Sequence, residues 1–90
     1  MTYTAPSFPL PTIHLNGSPR ERLLADYHTA HKLLNAAADA FGDIDFNARN
    51  YYVQGDYAFN AARTERDRMR EHFRALQQYL EAHLLHLAVD

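Results

Sequence analysis

Histidine is abundant in this chain, with six copies among 90 residues, and it is both a common metal ligand and a common general base. Four of the six form two pairs with i, i+3 spacing, His28–His31 and His83–His86, so each pair shares one side of a helix. In an antiparallel hairpin we expect His28 to lie level with Arg70, which places the two pairs at opposite ends of the second helix. We therefore predict neither a metal site nor a cofactor.

Arginine is the second residue type with a suggestive spacing. Four arginines recur every three or four residues along the second half of the chain, namely Arg63, Arg66, Arg70 and Arg74. Such a row could contact nucleic-acid phosphates. Acidic residues are interspersed, however, and the net charge is −2, which favours an ordinary solvent-exposed helix face with internal pairs such as Arg63–Asp67 and Arg68–Glu71. Because Arg66 interrupts an apolar stripe, we expect Asp39 or Asp43 to pair with it.

A third group combines arginine with tyrosine, the residue types that dominate protein-binding hot spots. It consists of Arg49, Tyr51, Tyr52 and Tyr57, in a segment too aromatic for a floppy linker. These side chains are candidates for a partner-binding surface. The alternative is a small aromatic core that closes one end of the fold.

Catalytic groupings of other kinds are absent from the sequence. There is no Cys, the three glycines stand apart from one another, and Ser18 is explained by helix capping. We therefore predict that the protein is not an enzyme. We also predict a cytoplasmic protein, since no apolar run approaches the roughly 20 residues that span a bilayer and the N-terminus lacks the pattern of a signal peptide.

The elements that position these residues are helical, and the sequence predicts one all-α domain over residues 1–90. Three prolines make residues 1–17 an extended arm, either disordered or laid over an apolar surface. A capping box at Ser18 and Glu21, with Pro19 at the first helical position, predicts helix 18–41. Gly42 should end this helix, residues 42–56 form an ordered loop, and Asp56 caps helix 57–88.

Both helices carry apolar stripes with alternating steps of three and four. In the first the stripe is Leu23, Tyr27, Ala30, Leu34, Ala37 and Phe41; in the second it is Phe59, Ala62, Arg66, Met69, Phe73, Leu76, Leu80, His83 and Leu87. At 1.5 Å per residue, the helices would be roughly 35 Å and 50 Å long, so the second should overshoot the first.

We expect the overshoot at the C-terminal end of the second helix, where Leu80, Leu84, Leu85 and Leu87 need cover and where Leu80, His83, Leu84 and Leu87 are the candidates for the core or dimer contact. Either the N-terminal arm or a second subunit could supply it. Two helices alone present too little opposing surface for both stripes, so we predict an antiparallel two-helix hairpin that pairs into a dimeric four-helix bundle. In that arrangement His83 is a packed histidine or part of the dimer contact.

Two segments carry a resemblance to known sequences. Residues 12–18 are Thr-Ile-His-Leu-Asn-Gly-Ser, and residues 47–55 are Asn-Ala-Arg-Asn-Tyr-Tyr-Val-Gln-Gly, followed by the arginine-rich helix. They resemble small uncharacterised proteins of tailed phages and prophages, whose pattern is hydrophobic-His-Leu-Asn-Gly-Thr/Ser and then Gly-Arg-Asp-Tyr-Tyr. The chain departs from it at Ala48 and Asn50. The resemblance spans most of residues 12–88 and implies a phage origin and action inside a bacterial host, without a known activity.

Taken together, these features favour a non-enzymatic protein-interaction module, dimeric, that binds and modulates a host protein. One alternative is a nucleic-acid-binding helical dimer that uses the arginine row of the second helix. The other is a purely structural or assembly protein.

Overall fold

The fold is known from a computed structural model that describes residues 7–89, and every regular element within that range is a helix. Helix α1 spans Arg20–Gly42 and helix α2 spans Ala58–Ala88. Two short 3₁₀ turns, Ala48–Asn50 and Tyr52–Gln54, lie between them. The two long helices pack against each other, so the predicted all-α hairpin is confirmed.

The helix ends differ from the predicted ones in how they are capped. The predicted capping box is wrong: the N-cap of α1 is Pro19, which makes no side-chain cap, so Ser18 does not cap the helix. Because the backbone of Pro19 is extended (ψ 151°), the helix begins one residue later than predicted. The carbonyl of Pro19 accepts a hydrogen bond from the Leu23 N–H at 3.2 Å. At the other end Gly42 is the last helical residue, since Asp43 stays right-handed and closes the final turn.

The register of the hairpin also differs from the expected one. Tyr27 stacks on His83 with ring centroids 4.5 Å apart, and Phe41 contacts Phe73 at 5.3 Å. The start of α1 therefore lies level with the end of α2. The expected overshoot at the C-terminal end of α2 is wrong, as is the expected position of His28 beside Arg70.

The excess length of α2 lies instead at its N-terminal end, beyond the last turn of α1. Arg66 donates a hydrogen bond to the carbonyl of Gly42 at 3.3 Å, so the residues before Arg66 extend past α1. The connecting segment folds back over them, and Phe46 stacks on Phe59 at 5.3 Å. The expected register assumed that the connection joins α1 and α2 at the same level. It is wrong because residues 43–57 fold back over the first turns of α2, which therefore extend past the end of α1.

Cover for the C-terminal end of α2 comes from α1 and the arm. Leu80, His83 and Leu87 are the buried residues of α2, while Leu84 is half-buried. On the arm, Phe8 contacts Tyr79 and His83, and His86 Nε2 donates to the carbonyl of Pro11 at 2.7 Å. Leu80, His83 and Leu87 are therefore covered within one chain, whereas Leu85 remains 58 % exposed. The part of the predicted arm at residues 1–6 lies outside the described residues.

Arg20 joins the two helix ends at this point. Its guanidinium donates to the carbonyls of Leu87 and Val89, the latter at 3.0 Å. The last four carbonyls of a helix have no partner within the helix, and the helix dipole makes that end negative. One positive side chain from the first residue of α1 thus satisfies and stabilises the C-terminus of α2.

We expect Arg20→Ala to lower the free energy of unfolding by about 1–2 kcal/mol, because charge-assisted hydrogen bonds to the end of α2 are lost. The measurement is urea unfolding followed by far-ultraviolet circular dichroism. Arg22→Ala is the matched control, since its ion pair with Asp26 at 4.0 Å lies on the exposed face. Equal losses in the two variants would contradict the capping role of Arg20.

Candidate functional site

His83 lies where α1, α2 and the arm meet, and it is only 2 % exposed. Its ring is surrounded by Tyr27 at 4.5 Å, Tyr79 at 4.3 Å and Phe8 at 5.8 Å between centroids. Nδ1 donates a hydrogen bond to the carbonyl of Tyr79 at 2.8 Å, which assigns the proton to that nitrogen. His83 is thus packed inside one chain, and it does not form the dimer contact that the sequence left open.

The same cluster changes the acidity of the Tyr27 hydroxyl. Burial raises the pKa of Tyr27, and the neighbouring Tyr79 raises that pKa further. Both effects disfavour the phenolate, so Tyr27 is held neutral and acts as a packing residue.

Two of the three remaining paired histidines have a structural partner, whereas His28 is exposed. His31 Nε2 donates to Glu81 at 3.2 Å, and His86 is bonded to the arm. The separation expected between the pairs is wrong, because the register brings the start of α1 and the end of α2 together. Even so, no group of three or more His, Asp or Glu side chains within residues 7–89 is arranged to hold a metal ion.

One side of the α1–α2 interface carries a chain of polar contacts, here called the polar side. Gln77 donates to Asn35 at 3.0 Å, Asn35 approaches His31 Nδ1 at 3.5 Å, and His31 donates to Glu81. The first and last of these contacts join α1 to α2, and the contact between Asn35 and His31 orients both side chains for them. The polar side therefore holds the helices in one register.

The predicted tyrosine and arginine cluster is divided by the structure. Tyr51 is half-buried and packs with Phe46 at 5.6 Å and Phe59 at 6.1 Å. The Arg66 guanidinium covers the Phe46 ring at 4.9 Å. Tyr51 therefore belongs to a small aromatic core that closes the hairpin, which is the alternative that the sequence allowed.

The other members of that cluster are exposed on the same end of the molecule. Tyr52 is 65 % exposed and Tyr57 is 86 % exposed, as is Val53 at 83 %. Arg49 is exposed too, and its backbone N–H is fixed by Asn47 Oδ1 at 3.0 Å. We call Arg49, Tyr52, Val53 and Tyr57 the loop surface. Its backbone is anchored from beneath by Tyr51, so these side chains are presented on an ordered support.

The arginine row does not form one free surface. Arg66 is half-buried and bonded to Gly42 rather than to Asp39 or Asp43, and Arg74 pairs with Glu71 at 3.1 Å. Arg63 donates to Asn60 at 3.3 Å and lies over a phenylalanine ring, while Arg70 lines a cleft with Asp39 and Asp43. The expected pairs Arg63–Asp67 and Arg68–Glu71 are wrong, because Arg63 bonds to Asn60 instead and Arg68 pairs with Glu65 at 2.8 Å.

A second candidate surface was missed by the sequence reasoning. On the side of the hairpin opposite the polar contacts, an apolar groove of about 270 Å³ runs between the helices. It is lined by Leu34, Phe41, Met69, His72, Phe73 and Leu76. The sequence signal for this groove is that α1 has more apolar residues than one contact with α2 can cover. Ala30 and Ala37 belong to the predicted stripe but are exposed, whereas His31 and Ala38 are partly buried.

Comparison with models of known protein families, with curated proteins and with solved structures gives no match for this chain. Neither helix in the described part of the chain combines the length and apolar character needed to cross a membrane. Any functional assignment therefore depends on the surfaces described above.

Replacing Tyr51 and Tyr52 in turn separates the aromatic core from the loop surface. We expect Tyr51→Ala to lower the free energy of unfolding by about 1–3 kcal/mol, because it removes packed aromatic contacts. Tyr52→Ala should change it by less than about 0.5 kcal/mol, as is usual for an exposed side chain. Urea unfolding measures both. A loss in Tyr52→Ala as large as that in Tyr51→Ala would contradict the division of the cluster.

The raised pKa of Tyr27 predicts a loss of stability at alkaline pH. A group whose pKa is higher in the folded state contributes stability below its unfolded pKa of about 10 and loses that contribution as pH rises through the folded value. We expect Tyr27→Phe to unfold with a weaker pH dependence than the wild type in that alkaline range. Tyr57→Phe, at an exposed position, is the control and should follow the wild type. Identical curves for all three proteins would refute the assignment.

Proposed function

We propose that the chain is a non-enzymatic protein-interaction module that binds another protein through the loop surface. The observation that carries this proposal is the exposure of Tyr52, Val53 and Tyr57 on an anchored segment. Large apolar side chains that stay exposed on an ordered support are typical of binding surfaces. A preordered loop also loses little conformational entropy on binding.

The non-enzymatic part of the proposal is supported by what the histidines do. His83 is stacked among three aromatic rings, His31 bonds to Glu81, and His86 bonds to the arm. These contacts engage three of the four paired histidines in structural roles. The arginine row supports nucleic-acid binding less well than the loop surface supports protein binding, since Arg66 and Arg74 are engaged within the chain.

The resemblance to phage and prophage proteins leads us to propose a host protein as the partner, and the bacterial cytoplasm as the place of action. Within the same proposal, the hairpin pairs with a second copy into a dimeric four-helix bundle. This arrangement would leave the loop surface at the ends of the bundle, available to the partner.

The test is affinity purification from a bacterial lysate with the tagged wild type and with a Tyr52→Ser/Tyr57→Ser double variant. We expect the wild type to retain a defined host protein and the double variant to lose it while keeping its helical circular dichroism, because both positions are exposed. A Leu15→Ser variant, also exposed but on the arm, should retain the partner. Equal recovery by the double variant and the wild type would contradict the loop surface as the binding site.

A further inference from the structure

The arm is rich in proline where it lies along the C-terminal half of α2. It contains the segment Phe8-Pro9-Leu10-Pro11, in which Phe8, Leu10 and Pro11 are half-buried and Pro9 is exposed. Proline holds φ near −65° and has no backbone N–H, so such a segment favours the extended polyproline II conformation. The arm therefore has the chemistry of a proline-rich recognition segment.

The surface beneath the arm, here called the arm site, consists of Tyr79, His83 and His86 on α2. The Phe8 ring lies 5.0 Å from that of Tyr79 and 5.8 Å from that of His83, and it is tilted by only 8° from the latter. His86 Nε2 donates a hydrogen bond to the carbonyl of Pro11 at 2.7 Å. Proline-rich segments are typically bound in aromatic-lined grooves, and a proline carbonyl remains available as an acceptor. The arm site offers both kinds of contact.

The spacing of the two contacts along α2 fits an extended segment. Polyproline II rises about 3.1 Å per residue, which separates Phe8 from Pro11 by roughly 9 Å. At about 1.5 Å per residue along a helix, His86 lies roughly 5 Å beyond His83 and roughly 10 Å beyond Tyr79. One extended segment can therefore place a ring on Tyr79 and His83 and a carbonyl at His86, as the arm does.

The described part of the arm is held on α2 by side chains. The backbone–backbone hydrogen bonds of residues 7–19 are the turn from Gly17 to His14 and the bond from Leu23 to Pro19 that begins α1, so none of them joins this stretch to α2. Leu15, in the link between the arm and α1, is 99 % exposed. The arm can therefore leave the arm site without breaking a backbone ladder.

The arm site itself is held in place by the two helices. His83 Nδ1 donates to the carbonyl of Tyr79 at 2.8 Å, and Tyr27 of α1 stacks on the His83 ring at 4.5 Å. These contacts fix the rings that the arm covers, and they do not involve the arm. The arm site is thus preformed, which lowers the entropy lost when an extended segment binds.

We propose that the arm is a displaceable ligand of its own chain, and that the arm site binds an extended, proline-rich segment of a partner protein. The segment would carry an aromatic residue three positions before a proline, as Phe8 precedes Pro11. The arm of a second copy offers only the same contacts, without the millimolar effective concentration of a short tether, so a different protein is the better occupant. This surface is separate from the loop surface, and the inference goes beyond the proposed function.

The test is a titration of the full chain with a synthetic peptide of residues 7–14, followed by the nuclear magnetic resonance signals of the His83 and His86 rings. We expect Phe8→Ala to bind the peptide at least about 10-fold more tightly than the wild type, because the tethered arm competes in the wild type alone. Leu15→Ala, a change at an exposed position of the arm, is the matched control and should bind like the wild type. A peptide carrying Phe8→Ala should bind neither protein.

Each other outcome would overturn the inference. If millimolar peptide leaves the His83 and His86 signals of Phe8→Ala unchanged, the arm site does not bind such a segment. Equal affinities of the wild type and Phe8→Ala would show that the arm does not compete. Loss of helical circular dichroism in Phe8→Ala would show that the arm is required for the fold and is not displaceable. A doubling of mass in the wild type that Phe8→Ala abolishes, measured by light scattering, would assign the site to the arm of a second copy instead.

Discussion

The packing of Tyr27 against His83 sets the register of the two long helices. Because these rings meet, the first residue of α1 lies beside the last residues of α2, and Arg20 reaches the free carbonyls there. The same register ends α1 level with Arg66, which leaves the first turns of α2 to the connecting segment. The arm joins at the same point through Phe8. The aromatic cluster around the buried His83 thus sets the positions of both ends of the hairpin.

The register also determines which surfaces of the hairpin are covered within the chain and which stay exposed. The C-terminal half of α2 is completed by α1 and the arm within one chain, so its buried leucines are unavailable to a partner. The loop half is covered from one direction only, by the core of Phe46, Tyr51 and Phe59. The surfaces left open within the described part of the chain are the loop surface, at the end of the hairpin, and the apolar groove lined by Leu34, Met69 and Leu76, along its flank.

The two helices could be predicted from the sequence, but their position relative to each other could not. Heptad spacing, with Gly42 as the expected end of the first helix and Asp56 as the expected cap of the second, predicts two helices within a few residues of their observed bounds, although the N-cap of α2 is Tyr57. Register, however, depends on how residues 43–57 fold back, and that is decided by contacts such as Phe46 with Phe59 that no local pattern encodes. For the same reason the sequence grouped Tyr51 with Tyr52, although one is packed and the other exposed. The apolar groove was not predicted because a wide apolar sector on α1 can serve one interface or two.

The register is the central claim, and proton nuclear magnetic resonance tests it most directly. Nuclear Overhauser effects between the ring protons of Tyr27 and His83 are predicted, since the centroids are 4.5 Å apart, together with effects between Phe41 and Phe73. Effects that instead connect Tyr27 to side chains around Arg70 would contradict the account, because that is the register in which α2 overshoots at its C-terminal end.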